Sequence, residues 1–102
     1  MSVQKEYLVD KDVCKVKFIL PQEIANTTKK ASLVGDFNDW DQNQNPMQKR
    51  RNGTRSVTVE LPTGNEYQFR YLIDETRWEN ENEADKQVVS PFEDAENSVI
   101  VI

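Results

Sequence analysis

Two tryptophans stand among residues that rarely surround one. Trp40 closes the run LVGDFNDW (residues 33–40), and Trp78 lies in DETRWENEN (residues 74–82). Both follow an apolar stretch and sit among Asp, Asn, Glu and Arg, outside any alternating apolar pattern. An indole in that setting offers a flat face that the C–H side of a sugar ring can cover. Neighbouring amides and charged groups can then bond the ring hydroxyls. Taken singly, either tryptophan reads rather as a plug packed at the edge of a fold.

Other chemistries fit the residues less well. The chain has no histidine and one cysteine, which removes Ser-His-Asp and Cys-His catalysis and the commonest transition-metal ligand. Its eighteen acids provide carboxylate pairs by chance. They cluster in hydrophilic turns such as NENEAD and FEDAEN, with nothing apolar to raise a pKa, and so read as solvated surface rather than a glycosidase pair. Asp39, Asp41 and Asn43 open like a calcium loop, but Gln44 and Arg50 occupy the positions that need glycine and glutamate. The glycines at 35, 53 and 64 form no phosphate cradle, and the KRR run at 49–51 reads as a hairpin tip. No metal or cofactor is expected. A single cysteine fits a reducing compartment, with Cys14 a small hydrophobe on a buried strand face.

The elements that must position the tryptophans are strands. Residues 13–20 (VCKVKFIL) alternate apolar and charged, and Pro21 ends the run. Residues 31–34 form a short apolar strand entering Gly35. In residues 55–62, Val57, Val59 and Leu61 share one side, opposite Ser56, Thr58 and Glu60. In residues 66–74, Tyr67, Phe69, Tyr71 and Ile73 face inward, while Gln68, Arg70 and Leu72 face away. Residues 97–102 (NSVIVI) make a last β-branched run, and residues 79–88 hold too few apolar side chains for a packed helix. About seven strands in all predict an all-β, immunoglobulin-like antiparallel sandwich over residues 12–102. Residues 1–11 read as a flexible or edge-paired segment.

Charge narrows the partners. Thirteen basic against eighteen acidic residues leave a net charge of -5, which argues against nucleic acid and an anionic membrane. The opening MSVQKEYLVDKD lacks an apolar signal core and no run is long enough to span a bilayer, so a cytoplasmic location is expected.

Three stretches together, ASLVGDFNDWD, LPTGNEYQFRYLIDETRW and EADKQVVSPFEDAENSVIVI, resemble carbohydrate-binding module family 48 over roughly residues 13–102. That family includes the isoamylase N-terminal early-set domain and the glycogen-binding domain of the AMP-activated kinase β subunit. The resemblance implies non-catalytic binding of an α-1,4-glucan, glycogen- or starch-like, and no enzyme activity. It places the two stacking tryptophans on Trp40 and Trp78, the basic residue on Arg70 (arginine for the kinase subunit's lysine) and the asparagine on Asn97. Where the kinase subunit has a leucine, this chain has Glu93–Asp94. The alternative is a protein-interaction module, an early-set scaffold that has lost sugar binding. Implied partners are an α-glucan and a separately encoded enzyme acting on glycans. With Arg70 on the non-core face, Arg70→Ala is expected to leave stability nearly unchanged.

Overall fold

The computed structural model describes residues 1–91 and 95–102, so the Glu93–Asp94 position lies outside the described residues. Among the described residues are ten β-strands in two antiparallel sheets. One sheet orders β1 (Ser2–Tyr7), β2 (Val13–Leu20), β6 (Arg55–Pro62) and β5 (Gln48–Lys49). The other orders β4 (Asn45–Pro46), β3 (Ala31–Gly35), β7 (Glu66–Ile73), β10 (Glu96–Val101) and β9 (Lys86–Val89), with β8 (Arg77–Glu79) also paired to β7. One helical turn, α1 (Gln22–Ala25), follows Pro21. Pro21 cannot extend the ladder, and its fixed φ suits a helix start.

The inner faces are the ones alternation assigns. Cys14, Val16, Phe18 and Leu20 of β2 are fully buried against Leu33, Phe69, Tyr71, Ile73 and Ile100 of the second sheet. Phe18 is the hub: its ring lies 5.0 Å from Phe69 and 6.5 Å from Tyr71, both edge-on, and 6.0 Å from Phe37. Edge-on geometry sets the positive rim of one ring against the negative face of the next, adding to the area each buries. Val57 and Val59 of β6 pack partly buried against this core.

The structure adds β1, β4, β5, β8 and β9 to the five strands that alternation marks. β1 pairs with β2 along its length, from Ser2 opposite Ile19 to Tyr7 opposite Cys14. β4 and β5 are two residues each, too short to carry a period. β8 and β9 are polar edge strands held by backbone bonds to β7 and β10.

The segment NENEAD is not a purely solvated turn. Glu81 is completely buried, accepting the Tyr71 hydroxyl at 2.7 Å and the Glu83 N–H at 2.9 Å. Its own N–H donates to Ser98 Oγ at 2.8 Å, and Gln87 Nε2 donates to its carbonyl at 2.8 Å. Inside the sandwich every such group needs a partner, and these bonds tie the 80–87 segment to β7 and β10. Burial first, then the neighbouring Glu81 carboxylate, pushes the Tyr71 phenol well above its ordinary range.

Candidate functional site

The loop GDFNDW is assembled residue by residue. Gly35 ends β3 where a Cβ would come within 2.5 Å of the Gln68 carbonyl oxygen and 2.8 Å of Phe69 Cβ, so no other residue lets the loop pass so close to β7. Asp36 then ties the loop down: Oδ2 accepts the Gln68 N–H at 2.8 Å, while Oδ1 accepts the Trp40 indole N–H at 3.0 Å. Phe37 turns inward beside Phe18 and Tyr67. Asn38 knits the bend, receiving the Gly35 N–H through Oδ1 and donating through Nδ2 to the Leu33 carbonyl and to Asn45 Oδ1.

Asp39 and Trp40 both take left-handed backbone, with φ of 55° and 58°. Aspartate tolerates that region; a bulky tryptophan does so at a cost of order 1–3 kcal/mol. The Trp40 N–H bond to the Gly35 carbonyl at 2.9 Å and the indole bond to Asp36 hold it there.

Trp40 forms one wall of an open cleft of about 400 Å³, lined with Asp36, Gln68, Arg70, Ser90, Pro91 and Asn97. Gln68 and Arg70 alternate on the outer face of β7, and Asn97 stands beside Arg70 on β10. Arg70 Nε donates to Asn97 Oδ1 at 2.5 Å, and Asn97 Nδ2 donates to Gln68 Oε1 at 2.9 Å. The Gln68 Nε2 group has no partner among the described residues, which leaves two N–H donors available at the cleft that Gln68 lines.

Trp78 does not line this cleft. It lies on β8 opposite Leu72, across the sheet face from Trp40, and is 40% exposed. The Arg70 guanidinium carbon sits 5.9 Å from its ring centroid, within cation–π range. The β7–β8 turn holds Trp78 out. Asp74 and Glu75 take left-handed φ of 50° and 63°, and Asp74 Oδ1 accepts the N–H groups of Lys29 and Lys30 at 2.8 and 3.0 Å. Those two backbone bonds, Lys30 first, hold the Asp74 carboxyl below its ordinary range.

The four residues named from sequence therefore share one outer face, in three settings. Trp40 is half-buried in the cleft wall, and Trp78 is open beyond Arg70. Arg70 and Asn97 are 6% and 4% exposed, forming the cleft floor. Alternation places Arg70 on the outer face correctly, yet an outer face covered by neighbours is still buried. That burial and the bond to Asn97 replace the expectation that Arg70→Ala leaves stability unchanged with an expected loss. Asp36 and Gln68 are the residues that sequence reading left unassigned. Gln68 carried a signal, two positions before Arg70 on the same face, whereas the double role of Asp36 needed the folded loop.

The family model described as carbohydrate-binding module 48 (isoamylase N-terminal domain) matches residues 12–92. The chain belongs to that family. No curated protein matches the sequence.

Proposed function

We propose that this member of a carbohydrate-binding family holds an α-1,4-glucan without acting on it chemically, with Trp40 and Trp78 presenting aromatic faces to successive glucose rings. Gln68, Arg70 and Asn97 supply the polar floor that orients the hydroxyls. The observation that carries this reading is the Trp40 backbone, held in a left-handed conformation that ends with its ring in a cleft wall. An open polar site of this kind binds weakly, at ~10 µM to ~1 mM, because ordering a flexible sugar offsets much of the stacking gain.

A second reading, a protein-interaction module, draws support from the Arg70–Asn97–Gln68 bonds, which commit part of the polar floor to the fold itself. Native-gel retardation in glycogen separates the two. The wild type is expected to be retarded, and Trp40→Ala to run as it does without glycogen while keeping its circular dichroism spectrum. Equal wild-type mobility with and without glycogen sinks the glucan reading and favours the interaction module. A separately encoded enzyme acting on the same glucan is the partner this function suits.

A further inference from the structure

The outer face that carries the cleft continues into a second pocket. Its volume is about 240 Å³, and it is lined with Lys30, Ser32, Gln42, Asn43, Leu72 and Glu75. Leu72 follows Arg70 by two positions on β7, so the pocket and the cleft floor share one side of the sheet, ~7 Å apart along the strand. Ser32 faces Leu72 across the β3–β7 ladder, and Trp78 faces Leu72 on the other flank. A glucan running along β7 from the cleft over Leu72 would meet this pocket on the β3 flank.

Its chemistry suits the hydroxyls of a sugar. Among the described side chains only Arg55 Nε is both sealed from water and unbonded, so the Ser32 hydroxyl, which bonds none of the described residues, reaches the solvent of the pocket it lines. A sugar hydroxyl can take the place of the water that such a group bonds. The Gln42 and Asn43 carboxamides likewise lack partners among the described residues. The Asn43 N–H bond to Asp41 Oδ1 at 2.8 Å fixes the loop that presents them. At the far end Lys30 and Glu75 pair at 2.7 Å, which leaves the mouth neutral rather than charged. Amides, a hydroxyl and a balanced ion pair around an apolar leucine floor favour a neutral polyol over an anion or a metal.

We infer that this pocket is a further subsite for the same glucan, engaged only by chains long enough to extend from the cleft over Leu72. The inference rests on the α-glucan reading of the cleft. It is tested by calorimetric titration of the full chain with maltotriose and with maltoheptaose. Wild type should bind maltoheptaose about fivefold more tightly than maltotriose, in line with one or two added hydrogen bonds. Ser32→Ala, and separately the Gln42→Ala/Asn43→Ala pair, should bring that ratio to about twofold or less while leaving maltotriose affinity unchanged. The exposed loop pair does not depend on the buried Ser32 packing, so it reads the pocket even if Ser32→Ala perturbs the sheet. A wild-type ratio near one, or a ratio untouched in both variants, overturns the subsite while the cleft still binds. Absence of binding to either sugar overturns the glucan reading along with it.

Discussion

Arg70 and Asn97 lie nearly out of reach of water, and Arg70 Nε donates to Asn97 Oδ1 across the β7–β10 seam. At this scale a side chain can serve a ligand and the fold at once, and substitution reports both. Arg70→Ala leaves Asn97 Oδ1 without its donor and uncovers one side of the Trp78 ring. It should cost ~1–3 kcal/mol, or ~4–8 °C of Tm for each kcal/mol, and should also weaken glycogen retardation. Thermal melts followed by circular dichroism check the first part. A Tm within about 1 °C of wild type would mean the guanidinium does not hold the β7–β10 seam. Arg70→Lys keeps the charge but loses the planar fork, and so should recover only part of either property.

The β7–β8 hairpin is the element that presents Trp78, and its turn carries an acid-sensitive support. Asp74 accepts two backbone N–H bonds from the segment entering β3, which lowers its pKa in the folded state. A carboxyl with a lowered folded pKa stabilises fully above its unfolded value, ~3.9, and loses that contribution as pH falls through the folded value. Asp74→Asn should therefore be less stable than wild type at neutral pH, with the gap closing below pH ~4. Urea unfolding at a series of pH values measures the gap; a gap constant with pH would contradict the assignment. Asp85 behaves in the same sense: burial raises its pKa, and bonds from Lys5 and from the Val101 N–H outweigh that and lower it. It contributes to the same acid loss at the β1–β10 edge.

Across the whole molecule, the Phe18 hub and the Glu81 knot divide the work. The aromatic cluster joins the two sheets by burial, and the knot around Glu81 and Ser98 closes the β8–β9 end by hydrogen bonds. Tyr71 belongs to both, since its ring packs on Phe18 and Phe69 and its hydroxyl donates to Glu81. Tyr71→Phe keeps the ring and removes one donor from a fully buried carboxyl, at a cost of ~1–3 kcal/mol. Glu81→Ala combined with it should cost less than the two changes added together, because both delete the same bond. Strict additivity in urea unfolding would show the pair to be uncoupled.

Much of this was legible in the chain order. Period-two alternation is local, so it placed Cys14, Val16, Phe18 and Leu20 inside, and put Gln68, Arg70 and Leu72 on the far side of β7. The family resemblance then singled out both tryptophans and Asn97, which lie on that same face. Strands such as β4, β5, β8 and β9 were not legible, because they are short or polar and exist only through the backbone of a neighbour. Nor could the amino-acid order show that Glu81 is buried, that Asp36 binds both Trp40 and β7, or that Ser32 opens into a second pocket beside the first. Those facts depend on which strand lies beside which, and on partners as far apart as Arg70 and Asn97. Local chemistry therefore determined the faces, and only tertiary packing decided which of the groups on them would be sealed from water and which left open to it.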